Sequence, residues 1–298
     1  DFAFYETMKV PPPTWCPECR MIRRLAWQGY RHLYKRKCDF SGEMVLSTIP
    51  AESRHKVYKQ EVWWSDKWDA KSYGREYDFS KSFFQQFDEL MRDVPMPSLM
   101  TEYSTMIGSE YCNAAATLKN CYLCFKFDDS EESAYCNTGT SLKNCFDCSF
   151  SNFSELCYES TNITKCYQTF YSQDCEDCHD VWYSRDLVGC SNCYGCINLR
   201  NKNYCIFNEQ YSKEEYEEKI KEFNPSRVED FFLTQPRRQF HGRKNQDVSG
   251  DYIYTSKNTK DSYMIRNSEN LRYCQLLKAG DVHNAMDYST FGLTAEWI

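Results

Sequence analysis

The sequence is short of what most enzymes and membrane proteins require. Only five histidines occur in 298 residues, at positions 32, 55, 179, 241 and 283, which leaves few places for general acid–base chemistry. There is no Gly-rich phosphate loop, no G-x-S-x-G elbow and no His-Glu-x-x-His helix, so the usual nucleotide, acyl-transfer and zinc-protease signatures are missing. Cys178-His179-Asp180 has the order of a nucleophile–base string, but neighbours along a strand point to opposite faces, so the match reads as chance. No run of eighteen apolar residues exists, which excludes a membrane-spanning helix. The opening stretch DFAFYETMKVPPPTWC lacks the basic and apolar regions of a signal peptide. Beginning on Asp1 and stopping at Ile298 inside a repeat-like run, the sequence reads as a fragment or a processed chain.

What is abundant is cysteine. Eighteen occur, fourteen of them between Tyr111 and Cys205, at intervals that are almost all three, nine or twelve residues. Without an export signal, this usage points to a reduced, cytoplasmic compartment rather than a secreted disulfide framework. Written from Cys121, Cys145, Cys166 and Cys190, the run falls into units of 21 to 24 residues. A fixed period in that range marks units that must stack to bury their apolar faces. Short polar intervals, and no stretch of helical periodicity, make the expected fold mainly β: a parallel β-helix solenoid with coils of 21–24 residues.

In such a coil, cysteines at i and i+3 both point inward when a corner lies between them, and small buried thiols suit an interior ladder. Metal binding is the competing reading. Cys121 and Cys124 followed by Cys145 and Cys148 have nearly zinc-ribbon spacing, and Cys175 and Cys178 with Cys190 and Cys193 form a shorter version. On adjacent coils, either set offers four convergent thiolates, which also admits a thiol-rich metal-binding protein. Disulfides rank last, because stacked Cβ atoms about 4.8 Å apart exceed the roughly 3.8 Å a disulfide prefers.

Charge is uneven. Residues 1–75 carry a net +5 and the remainder −12, within a total of −7, so an anionic partner is expected for the head alone. There, Cys16-Pro17-Glu18-Cys19 is followed by a basic, helix-compatible segment and then Cys38. This pattern reads as a small zinc ribbon holding one zinc on Cys16, Cys19 and Cys38. The position that would complete a second Cys-x2-Cys is Ser41, so the fourth ligand is open between His32, Asp39 and water. The same segment interleaves Arg20, Arg23, Arg24, Arg31, Lys35, Arg36 and Lys37 with Trp27 and Tyr30. Cations neutralise phosphates and aromatics stack on unpaired bases, so nucleic acid or a nucleoprotein is the candidate partner, a protein partner being the alternative.

Phe83, Phe84, Phe87, Leu90 and Met91 recur at helical spacing, predicting a core helix over 80–93 started by Asp78 or Ser80 and stopped by Pro95. Trp63, Trp64 and Trp68 read as packing at a domain junction. From 209 to 247 the repeat is interrupted; Ser212-Lys213-Glu214-Glu215 is a capping box, predicting a helix to about Phe223, and a second basic cluster follows. The expected division is a zinc-ribbon-like basic head over 1–105 and a solenoid over 106–298 with an insertion at 209–247.

The stretches CPECRMIRRLAW, LYKRKCDFSG, WWSDKWD, YGREYDFSKSFFQQF and GCSNCYGCINLRNKNYCIFNEQYSKEEYEEKIKEF carry a resemblance. Together they resemble a family of cysteine-rich bacterial proteins with a zinc-ribbon-like head and a repetitive β-helix body, some of them labelled CaiB/BaiF-type CoA transferases. The resemblance implies fold and zinc; the sequence offers no catalytic Asp in a nucleotide-binding crevice that would support the transferase label. The functional expectation is a non-enzymatic, zinc-containing binding or scaffold protein. The alternatives are an enzyme, either a zinc-dependent nuclease of the head or a carbohydrate-active β-helix, and the thiol-rich metal-binding protein.

Overall fold

The computed structural model describes residues 1–277, 280–290 and 292–298. It is mainly β, with long parallel sheets. The chain forms two compact units, one of residues 30–235 and one of residues 1–29 with 236–298. The division thus falls at 29/30 and 235/236, not at the expected 105/106.

In the unit of residues 30–235, an antiparallel hairpin pairs Tyr34–Lys37 with Met44–Ser47, and a short parallel pair joins Val57–Tyr58 to Met96–Pro97. The segment expected to be helical through Lys37 is therefore part strand. Cys38, Tyr58 and Val62 form a small core with Val45, Trp63 and Trp68, as the packing reading of two of the three tryptophans expected. The predicted core helix is present at Phe83–Asp93, but Ser82 caps it, its Oγ accepting the Gln85 N–H. The helix buries no residue fully, and Phe83, Phe84 and Phe87 are exposed. Helical spacing correctly identifies an apolar stripe, but it does not guarantee a neighbour to cover it.

Ten strands from Met106–Ile107 to Glu209–Gln210 make one sheet, all parallel except the last pair. Asn113 pairs with Phe125, Phe125 with Asn137, Asn137 with Ser149, and His179 with Ser191. The register step is therefore twelve residues, and the expected unit of 21–24 residues is about two such steps. Bridges with the same step recur outside the named strands, as at Tyr122↔Ala134 and Asn152↔Thr164.

The backbone explains the step. From Ala114 to Phe207 every third residue has a left-handed φ, between 45° and 64°. A bend after each three residues brings every third side chain inward, and four such segments complete the twelve-residue step. Non-glycine residues adopt this conformation at a cost, least for Asn and Asp. That is why Asn120, Asp129, Asn144, Asp147, Asn162, Asp174 and Asn201 sit at bends.

The inward positions are buried, and two kinds of residue fill them. Leu118, Phe127, Leu142, Ile163, Val181 and Leu187 supply bulk. Gly139 makes room for Phe127, since a Cβ there would come within 2.8 Å of that ring. Serine and cysteine satisfy the backbone instead. Ser109 Oγ accepts the Cys121 N–H at 3.0 Å, Ser133 the Cys145 N–H at 3.1 Å and Ser184 the Cys196 N–H at 3.0 Å, always one step along. Cys112 Sγ accepts the Cys124 N–H in the same way at 3.4 Å. The hydroxyl or thiol then donates to the carbonyl two residues back, as Ser184 does to Trp182 and Cys145 to Lys143. A small side chain that both donates and accepts is what these bends need, because a buried N–H left unpaired is costly.

Outside, aromatics stack along the same step: Phe170 on Trp182 with centroids 4.1 Å apart, and Trp182 on Tyr194 at 5.6 Å. The interruption supplies two helices, Lys213–Lys219, started by the expected Ser212 capping box, and Val228–Thr234. Val228 and Phe232 pack with Ile197, Tyr183 and Phe207 and cover one end of the aromatic rows.

In the other unit, strands from Gly242–Arg243 to Leu293–Glu296 form a second parallel sheet. Ile253 pairs with Ile265 twelve residues on, Leu271 with Ala285 fourteen on, and Val282 with Ala295 thirteen on. Ile253, Ile265, Leu271, Cys274, Leu277 and Val282 are its core. Two helices, Phe2–Met8 and Pro17–Ala26, belong to this unit. Phe4 stacks on Trp297, and Tyr273 donates a hydrogen bond to Asp1.

Candidate metal and nucleic-acid site

Cys16 is the N-cap of the Pro17–Ala26 helix, in extended backbone conformation, with proline at the first helical position. Its Sγ accepts the Cys19 N–H at 3.4 Å. That hydrogen bond lowers the Cys16 thiol below its ordinary range, while sharing a proton with Cys16 raises Cys19. Both sulfurs are exposed, so the pair has the accessibility and polarisation of a reactive or metal-binding dithiol.

The helix divides its cations between two faces. Arg20 donates to Asp287 Oδ2 at 2.7 Å and to the Trp15 carbonyl. Arg24 donates to Asp287 Oδ1 at 2.9 Å, to Ser289 and to the Tyr273 carbonyl. These two arginines tie the helix down, which corrects their assignment as phosphate contacts. On the outer face, the Arg23 guanidinium lies 5.0 Å from the Trp15 ring centroid, and Trp27 is 87% exposed.

The remaining predicted residues belong to the other unit. Arg36 is buried and donates to Asp39 and to the carbonyls of Pro50 and His55, so it too is structural. Asp39 also accepts the Val57 N–H at 2.7 Å; its carboxylate organises the hairpin. Tyr30 is packed rather than open, its ring 4.2 Å from the Lys126 ammonium and its carbonyl accepting from Asn113. Arg31, His32, Lys35 and Lys37 are exposed. Cys38 is buried, and burial opposes its ionisation; the N–H groups of Ser41 at 3.4 Å and Lys59 at 3.2 Å outweigh this and lower its thiol.

Cys16 and Cys19 thus lie in one unit and Cys38 in the other. Among the described residues, no three or more His, Cys, Asp or Glu are grouped to hold a metal. In the repeat, Cys121 and Cys124 stand two register steps from Cys145 and Cys148, with Ser133 and Cys136 between, so the two pairs are not on neighbouring steps as expected. Of the second set, only Cys178 and Cys190 are one step apart. All eight are buried thiols, donating where hydrogen-bonded to carbonyls, as Cys124 does to Tyr122 and Cys190 to Val188. In the second sheet, burial pushes the Cys274 thiol up to about 11. His179 faces out, stacked on Tyr167 while Cys178 faces in, which separates the apparent nucleophile–base string.

One feature escaped sequence reasoning: a cleft walled by Trp63, Trp64 and Tyr103 beside the Gln60–Trp63 helix. The tryptophan pair was its only signal. No protein-family model matches the chain, and no curated protein matches it.

Proposed function

We propose that the protein is a non-enzymatic binding scaffold in which the parallel sheets are walls of a twelve-residue β-helix solenoid, and that its basic, aromatic surface takes single-stranded nucleic acid or a nucleoprotein. The observation that carries this reading is the division of the Pro17–Ala26 helix. Arg20 and Arg24 anchor one face to Asp287, while Arg23, stacked on Trp15, and exposed Trp27 remain on the other. A cation beside open aromatic rings on a fixed helix suits stacked bases and a phosphate backbone. The bends and filled interior of residues 30–235 support a solenoid in that unit.

Zinc belongs to this reading at Cys16 and Cys19, where the Cys19 N–H already supports a thiolate on Cys16. Elemental analysis of the purified chain is expected to give about one zinc, lost in Cys16→Ser. No zinc would remove the metal from the proposal, and three or more would place ligands among the repeat cysteines.

Anisotropy titration of a labelled single-stranded oligonucleotide with the full chain tests the partner. Binding is expected at low salt, weakening as salt rises, and Trp27→Ala should weaken it by roughly fivefold to a hundredfold, the range for losing one stacked base. No binding at low salt, where phosphate contacts are strongest, would overturn the nucleic-acid reading.

A further inference from the structure

Helical spacing puts Phe83, Phe84, Phe87, Leu90 and Met91 on one side of the Phe83–Asp93 helix. Toward its C-terminal end Leu90 and Met91 are half-buried, and His55 Nδ1 lies 3.0 Å from the Met91 carbonyl, so that end is anchored. Toward its start Phe84 is 79% exposed, Phe83 57% and Phe87 47%. The chain leading into the helix extends this surface with Phe79, 92% exposed, and Tyr77, 46%. Gln86 holds the lead-in against the helix: its Oε1 accepts the Asp78 N–H at 2.8 Å, and its amide donates to the Asp78 carbonyl at 2.9 Å. The rings also touch, Phe83 stacked on Phe87 with centroids 5.7 Å apart and Tyr77 against Phe79 at 4.9 Å.

At roughly 200 Å² for a whole aromatic side chain, these five exposures amount to about 640 Å² of apolar surface. Monomers seldom leave a patch above about 300–600 Å² open, and one side of a standard interface buries about 800 Å². The patch therefore has the size of the apolar centre of such a face, with a polar rim to complete it.

Charge narrows what can cover it. Residues 75–93 carry three cations and five acids. All three cations are matched within the segment: Arg75 with Asp93 at 2.6 Å, Lys81 with Glu89 at 3.8 Å, and Arg92 with Asp88. An anionic membrane or a nucleic acid calls for unmatched cations. A rim that carries both signs, with Lys81 ahead of the helix and Asp88, Glu89 and Asp93 in its second half, instead complements its own copy turned end for end.

We propose that a second copy of this chain covers the patch, the two Phe83–Asp93 helices running antiparallel about a two-fold axis. Phe83 of each copy then meets Phe87 of the other, the Lys81 end of each helix lies beside Asp88 and Glu89 of the other, and Phe79 and Phe84 lose their exposure. This pairing is independent of the nucleic-acid reading, whose Arg23 and Trp27 belong to the other unit.

Sedimentation velocity of the full chain from about 1 to 100 µM tests the proposal. A reversible shift from the 35.5 kDa monomer to twice that mass is expected, and it should survive added salt, because the contact is apolar. Phe84→Glu, at an exposed position in the first turn, should weaken the association at least about tenfold with an unchanged melting temperature. Phe79→Ser should weaken it severalfold. Three results would overturn the proposal: a monomer throughout that range, a dimer that neither substitution alters, or a monomer that cosediments with phosphatidylcholine vesicles and loses them on Phe84→Glu, which would assign the patch to a lipid surface.

Discussion

The cysteines of the repeat and those of the Cys16–Cys19 pair are the same residue in two opposite situations. Between Cys112 and Cys205 every thiol is buried, within a lattice of backbone N–H and carbonyl groups. At Cys16 and Cys19 both sulfurs face solvent at a helix N-terminus. Serine does the repeat cysteines' work at neighbouring steps, as at Ser133, Ser154 and Ser184. A high cysteine count therefore says little about chemistry; exposure and local donors separate a packing thiol from a reactive one.

That contrast can be broken in graded ways. The largest effect is expected from Leu187→Ala, which removes bulk from a fully buried inward position; urea denaturation should show a loss of about 2–5 kcal/mol. Ser184→Ala comes next, because it orphans the Cys196 N–H and removes one of two donors from the Trp182 carbonyl, which keeps the Gly195 N–H. Its expected cost is about 1–3 kcal/mol, largely restored by Ser184→Cys if thiol and hydroxyl are interchangeable there. Asp287→Ala should cost about 1–2 kcal/mol by leaving Arg20 buried and unpaired, and limited proteolysis should then release the Pro17–Ala26 helix first. Cys145→Ser keeps the inward donor to Lys143 and should stay within about 1 kcal/mol of the parent. Cys16→Ser, at an exposed position, should move stability by less than about 0.5 kcal/mol, and should abolish the zinc proposed there.

Much of the body was legible. The mainly β, parallel character followed from repetition and polar intervals, and the inward thiols from the size of cysteine. The step of twelve was present in the Cys112, Cys124, Cys136, Cys148 column, but in the other inward columns Ser, Leu, Ile and Val alternate with Cys, so counting cysteines alone gave the double step. The left-handed bends left only a faint trace, an excess of Asn and Asp, because Tyr, Phe and Lys occupy the same conformation elsewhere.

The head was less legible, for a different reason. Nothing near Arg20 signals that Asp287, 267 residues away, will hold it, so a paired arginine and a free one look alike in sequence. The aromatic helix at Phe83–Asp93 has the spacing of a core element, yet Leu90 and Met91 are only half-buried and Phe83, Phe84 and Phe87 stay exposed. The cleft beside the Gln60–Trp63 helix brings Trp63 and Trp64 to residues 97–104, a juxtaposition that no local motif announces.

The most direct measurement is residue-resolved alkylation of the native chain in the presence of a chelator, read by mass spectrometry. Cys16 and Cys19 should label rapidly, and the cysteines from Cys112 to Cys205 only after denaturation. Labelling of Cys121, Cys145 or Cys178 at a rate comparable to Cys16 in the folded protein would contradict the account.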